Sequence, residues 1–167
     1  MNSCSYFVCA PTATGKSAFA IRLAKKIGGI IVNADSMQVY SNLEILTARP
    51  SKKDHEKVEH LLYGYIDGKQ RYNVANWCND ISLIIEPYKK NNKPLIIVGG
   101  TGMYISSLIN GIIDIPSIDE HFKKQSYELL KKIGLEKFIE KINLFDSDSL
   151  KNISHNDLLR IRRIWEV

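Results

Sequence analysis

The chain has 167 residues, 44% of them hydrophobic, enough for one compact domain with a real core or for one domain and a fragment of another. Its net charge of +5 suits an acidic partner such as nucleic acid or phosphate, and equally an ordinary basic cytosolic protein. Cys4, Cys9 and Cys78 form no CxxC pair, and His55, His60, His121 and His155 show no ligand spacing, which argues against a disulfide framework or structural zinc; with no signal-like N-terminus and no run near the ~18 apolar residues of a membrane span, a cytoplasmic setting and no membrane are expected.

In chain order, Tyr6–Cys9 reads as a short buried strand, followed by "APTATGKS" (Ala10–Ser17). Gly15-Lys16-Ser17 between a strand and a helix is the core of a P-loop: backbone N–H groups and a helix N-terminus favour a di- or triphosphate, Lys16 adds positive charge, and the Ser17 hydroxyl can ligate Mg²⁺. The full pattern has glycine where Ala10 stands, a position that often uses glycine's conformational freedom. Ala20, Leu23, Ala24 and Ile27 recur at i, i+3, i+4, i+7, predicting an amphipathic helix with Arg22, Lys25 and Lys26 on other faces; Gly28-Gly29 ends it and Ile30–Val32 makes a second strand. The result is a βαβ opening.

The loop after that strand, "NADSMQVY", carries Asp35. At the carboxyl edge of a parallel sheet such a carboxylate lies beside the phosphate loop, where it could take a proton from an acceptor; it reads equally well as a helix N-cap. His60–Ile66 is a further candidate strand. From Val74, Trp77, Cys78, Ile81, Ile84, Ile85 and Tyr88 predict a four-turn helix with Pro87 bending its end. "KPLIIVGGTG" gives a continuously apolar strand, Leu95–Val98, of the kind covered on both faces. It ends in Gly99-Gly100 rather than the metal-holding aspartate of a nucleotide hydrolase. The diglycine allows a close backbone approach, or is a plain strand-to-helix turn.

Beyond about Ile115 the pattern becomes helical: Phe122, Ser126, Leu129, Leu130 and Ile133, then Leu135, Phe138, Ile139 and Ile142, with a last helix starting near Asn156. Arg160 and Arg163 share a face of that helix, with Arg162 beside them, a cluster suited to RNA phosphates or to a solvated surface. The expected fold class is α/β, a P-loop NTPase-like parallel sheet flanked by helices (1–115), followed by a helical insertion (116–167).

Three stretches, "APTATGKS", "NADSMQVY" and "VGGTGMY", occur in the order and approximate spacing found in tRNA dimethylallyltransferases, also called tRNA isopentenyltransferases. "ILTARP" and "HNDLLRIRRIWEV" resemble further motifs of that family, so the resemblance spans essentially the whole chain. It implies transfer of a dimethylallyl group from dimethylallyl diphosphate to N6 of the adenosine just 3′ of the anticodon (position 37), in tRNAs reading codons that begin with U, with pyrophosphate expelled. By resemblance, Ala10, Pro11, Thr12, Ala13, Thr14, Gly15, Lys16 and Ser17 cradle the diphosphate, Ser17 holds Mg²⁺, Thr12 assists the leaving group, and Asp35 accepts the N6 proton. Asp35, Ser36, Met37 and Gln38 read the flipped-out adenine. Thr101, Lys123 and Leu159, Arg160, Ile161, Arg162 and Arg163 contact the tRNA. Family members continue well beyond Val167, so an N-terminal piece is expected, its core incomplete and its helical insertion truncated, most simply a monomer and dependent on a separate C-terminal polypeptide. Two alternatives stay open: a small-molecule P-loop kinase or adenine-nucleotide prenyltransferase, and an inactive fragment that binds tRNA or diphosphate.

Overall fold

The computed structural model describes residues 4–112 and 118–167, which form two compact units divided between Ile112 and Ile113. The boundary expected near Ile115 lies outside the described residues.

The first unit is built on four parallel strands, β1 (Ser5–Cys9), β2 (Ile30–Asn33), β3 (His60–Leu61) and β4 (Leu95–Gly99), in the order β1-β4-β2-β3. The two central strands are the two continuously apolar ones. β2 and β4 are buried at every residue because helices cover both faces. One face packs on α1 (Lys16–Ile27) through Ala20 and Ala24, with Ile31, Ile96 and Val98 opposite. The other packs on α3 (Val74–Lys90) and α4 (Gly102–Asn110), where Trp77, Ile81 and Tyr104 meet Ile30, Val32, Leu95 and Ile97. Alternate residues of each central strand thus serve opposite faces. Gly28 ends α1 in the left-handed conformation (φ 65°) that glycine adopts without cost.

Two expectations are corrected. β1 is a strand but not a buried one: it pairs only with β4 among the described strands, and Tyr6 and Phe7 are each 40% exposed. The strand expected over His60–Ile66 stops at Leu61, because Leu62 and Gly64 turn left-handed (φ 61° and 59°); Ile66 returns only as an isolated bridge to Tyr40. α3, as expected, takes in Pro87 and runs on to Lys90, the proline forgoing one i→i−4 hydrogen bond near the helix's end. Its start is fixed by a reciprocal capping box between Asn73 and Asn76. A six-residue helix, α2 (Lys52–Lys57), capped by Ser51 and Asp54, had no periodic signal. The Lys57 and Ser51 partners hold the Asp54 carboxyl well below its usual range.

Beside β3, the rings of His55 and His60 lie 4.8 Å apart. Burial pushes the His60 pKa below its ordinary 6.5, outweighing the Val58 carbonyl that favours the charged form, and His55 adds to the lowering. The folded chain therefore takes up its His60 proton at lower pH than the unfolded chain. Stability is expected to rise with pH between the depressed folded value and about 6.5, and to fall on acidification through that window. Urea midpoints at pH 7 and pH 5.5 check this, and His60→Gln should flatten the difference; an unchanged slope would remove His60 as its source.

The second unit is helical: α5 (Glu120–Ile133), α6 (Leu135–Asn143), α7 (Ser147–Leu150) and α8 (Leu158–Glu166) close on Phe138, Ile142, Leu150 and Ile161. α8 begins at its Asp157 cap, near the expected Asn156; α7 is too short to show a period. Among the described residues no helix is long and apolar enough to cross a membrane.

Candidate functional site

The carboxyl ends of β1, β4 and β2 lie side by side, so the segments that leave them share one edge of the sheet. From β1 the chain enters the phosphate loop. The left-handed residues there are Ala13 (φ 64°) and Gly15 (φ 82°), not Ala10, so alanine at position 10 meets no left-handed demand. Thr14 Oγ1 and Lys16 Nζ both donate to the Pro11 carbonyl, at 2.8 and 3.3 Å, closing the loop on itself. Gly15 caps α1 without a side chain, and no acidic residue occupies the first turn, so the positive end of the helix dipole is left uncompensated.

A cavity of about 430 Å³ opens here, lined by Val8, Ala10, Lys16, Phe19 and Arg22 among others. Arg22, which the apolar spacing set aside as a surface residue, brings a second cation to it. The signal was present: Gly15, Phe19 and Arg22 stand at i, i+4, i+7 and so continue one face of the helix that starts at the loop. Lys16→Ala is expected to weaken pyrophosphate binding by roughly 1.5–3 kcal/mol, the worth of a charge-assisted contact. Titration calorimetry of mutant and parent would show equal affinities if the lysine carries no such contact.

From β2 the chain enters Ala34-Asp35-Ser36-Met37-Gln38. No helix starts at Asp35, and residues 36–39 form a turn, which removes the N-cap reading of Asp35. Its Oδ1 instead accepts from Met37 N at 2.9 Å, closing a local turn. Asn33, fully buried, bonds both backbone groups of Asp35. Ser36 N donates to Thr101 Oγ1 at 2.9 Å, and that hydroxyl points on to Ser36 Oγ at 3.3 Å. Gln38 Nε2 donates to the Thr47 carbonyl, and Met37 is about half exposed.

The diglycine at the end of β4 resolves into a close approach. A Cβ on Gly99 would sit 2.0 Å from the Ala34 carbonyl oxygen, and one on Gly100 would lie 3.4 Å from the Ala10 oxygen. Ala34 N donates to Val98 O, and Thr101 N to Ala34 O. It is thus protein backbone that approaches Gly99, and the end of β4 ties the Asp35 loop to the sheet beside the phosphate loop. On opposite faces of the sheet, burial raises the Tyr63 phenol well above its usual range and pushes Tyr104 up to about 12, and the Asp35 carboxylate adds to both. Both stay protonated at neutral pH. Asn33, Tyr63 and Arg22 are residues that spacing alone did not single out.

The remaining predicted residues lie in the second unit. Lys123 pairs with Glu120 at 2.6 Å one turn away. On α8, Leu159 and Arg160 are exposed, Arg160 near Asp157, and Arg163 is partly exposed. Ile161 is a core residue, and Arg162 turns inward: its Nε meets Glu166 Oε1 at 2.8 Å, and its guanidinium lies 5.9 Å from the Tyr127 ring centroid. Glu166, 5% exposed, also accepts from Ser126 Oγ. The outward basic face is therefore narrower than three arginines suggest.

Among the described residues no group of three or more His, Cys, Asp or Glu could hold a metal ion. Any divalent ion at the phosphate loop would rest on Ser17 and on oxygens brought by the ligand.

A parallel sheet with a phosphate loop at one strand end and an acidic loop at another defines a P-loop-like α/β protein. Residues 38–167 match the family model for IPP transferase. A tRNA dimethylallyltransferase of Pelagibacter ubique is 42% identical over 160 residues, covering 96% of this chain and 51% of the relative. One from Bartonella henselae is 40% identical, with 96% and 54% covered. Among solved structures, a eukaryotic dimethylallyltransferase acting on tRNA aligns with a TM-score of 0.80 at 26% identity, covering 96% of this chain and 40% of that one. The full-length tRNA isopentenylpyrophosphate transferase of Bacillus halodurans gives 0.64 at 26% identity, covering 99% and 55%. The chain belongs to the IPP transferase family, and it spans about half the length of the curated relatives it matches.

Proposed function

We propose that the protein transfers a dimethylallyl group from dimethylallyl diphosphate to N6 of the adenosine just 3′ of the anticodon, in tRNAs reading codons that begin with U. The observation that carries this reading is the shared sheet edge, where β4 ties the Asp35 loop to the end of the strand beside the phosphate loop. A diphosphate on Ala10–Ser17 would direct its allylic carbon toward an acceptor held at residues 35–38. N6 attacks that carbon, the C–O bond breaks, and pyrophosphate leaves with the electron pair. The N6 proton passes to Asp35. Lys16 and the helix N-terminus stabilise the charge that builds on the departing oxygens, with Thr12 donating near the bridging oxygen. Mg²⁺, held by Ser17 and diphosphate oxygens, would add neutralising charge there. Thr101 stands beside the adenine site, and Lys123, Leu159, Arg160 and Arg163 offer the tRNA a partly basic surface. On this reading the chain works in the cytoplasm without self-association, completed by a separate C-terminal polypeptide.

The test is incubation with dimethylallyl diphosphate, Mg²⁺ and unmodified tRNA, read by mass spectrometry of the nucleosides. Prenylated adenosine is expected, weakly from this chain alone and more strongly when a polypeptide covering the second half of the relatives' length is supplied. Among the described strands β1 pairs only with β4, and its Tyr6 and Phe7 are exposed; this supports that dependence, since an unpaired, apolar strand marks a surface that a partner covers or that aggregates. The same feature supports a second reading, a binding fragment without chemistry, which tRNA or diphosphate binding with no product in either arm would establish. Phosphoryl transfer from ATP, or prenylation of free adenine nucleotides without tRNA, would overturn both.

A further inference from the structure

We propose that Asn33 is a positioning residue for Asp35, holding the carboxylate where it can receive the acceptor proton; this rests on the reading of Asp35 as proton acceptor. Asn33 ends β2 and is fully buried, a costly place for an amide unless its groups are bonded. Its Oδ1 accepts from Asp35 N at 2.9 Å, and its Nδ2 donates to Asp35 O at 2.9 Å and to Leu62 O at 3.0 Å. Its own carbonyl accepts from Trp77 Nε1 at 2.9 Å. Both side-chain donors are therefore used, on carbonyls that no other side-chain type of this size could reach together with the Asp35 N–H.

The geometry goes beyond tethering. One side chain grips Asp35 on both sides of its Cα, at the N–H before it and the carbonyl after it, which fixes the direction in which the carboxylate leaves the backbone. Thr101 Oγ1 grips the next N–H from β4's end. The Met37 N–H then takes Oδ1, and no hydrogen bond among the described residues engages Oδ2. Asn33 and its neighbours thus leave one carboxylate oxygen available on a rigid mount. The third bond reaches Leu62, whose left-handed φ of 61° is a strained conformation for leucine and is retained where the surroundings dictate it. Placement of a base to within an ångström can govern rate by about a hundredfold.

Hydrogen exchange on the 167-residue chain tests the mount without turnover. The Asp35 and Ser36 amides should be protected in the parent, and Asn33→Ser should release Asp35 while the β2 and β4 amides stay protected. Exchange of both parent amides at free-loop rates would overturn the proposal. In the prenylation assay with the second-half polypeptide present, Asn33→Ser should lower the single-turnover rate by about tenfold to a hundredfold, with KM for tRNA and diphosphate unchanged. In an Asp35→Asn background the same substitution should have no further effect, because it acts through the group already removed. An equal loss in both backgrounds would make Asn33 a fold residue and sink the proposal. Asn33→Thr, which adds no charge, fills more of the site than serine and cannot reach both carbonyls, serves in the same cycle should the serine variant not fold. Asp35→Asn at the parent rate would instead defeat the proton-acceptor reading, and the exchange data would show whether the mount exists regardless.

Discussion

Asp35→Asn is expected to slow prenyl transfer by about 10²–10⁴-fold while leaving tRNA and diphosphate binding in place. The amide keeps the shape of the carboxylate and its oxygen can still accept from Met37 N, so the turn over residues 35–37 persists. What disappears is a group able to take the proton from N6. Because the loop is held from Asn33 and Thr101 rather than by the Asp35 side chain alone, little reorganisation accompanies the change. A single-turnover rate equal to the parent's would show that this carboxylate serves the turn and not the chemistry.

Trp77→Ala should cost about 3–5 kcal/mol, the range for emptying a large buried aromatic site. That is a large part of the roughly 5–15 kcal/mol that keeps a domain folded. Trp77 is fully buried, stacks on Tyr104 with ring centroids 4.6 Å apart, and donates its indole N–H to the Asn33 carbonyl. Its removal opens a cavity between α3 and the sheet and leaves that carbonyl unpartnered. Trp77→Phe should recover most of the packing and lose about 1 kcal/mol through the missing N–H. Urea unfolding followed by far-UV circular dichroism, with exchange of the β2 and β4 amides to isolate the first unit, gives both values. A loss below about 1 kcal/mol for the alanine variant would mean that the site collapses around the gap.

The parts of the fold that were legible depend on local chemistry. The glycines after Thr14 and Ile27, and the unbroken apolar run Leu95–Val98, report conditions set within a few residues: a left-handed cap, a strand covered on both faces. β1 has the same apolar look as β4, yet among the described strands it has a single neighbour, because strand position in a sheet is settled by partners far along the chain. Leu62 ended β3 early through a backbone conformation that its side chain gives no hint of. Arg162 has the same charge as Arg160 and Arg163; its close bond to the buried Glu166 carboxylate one turn away and the Tyr127 ring beside it explain why it turns inward. In the candidate site, the phosphate loop and the acidic loop were readable as motifs. The clamp at Asn33 was not, since its bonds to Asp35 are local but the bond to Leu62 spans 29 residues and the one from Trp77 spans 44.

The two tryptophans fall one in each unit, Trp77 in the first and Trp165 in the second. Their surroundings differ. Trp77 is sealed against Tyr104, whereas Trp165 is partly exposed and packs between Phe138 and Phe145. The chain therefore carries a built-in pair of optical reporters. The emission of Trp77 should be blue-shifted, and that of Trp165 more open to a solvent-borne quencher such as iodide. Single-tryptophan variants, each with phenylalanine at the other site, would follow the two units separately as a phosphate ligand or an RNA is added, with no label attached.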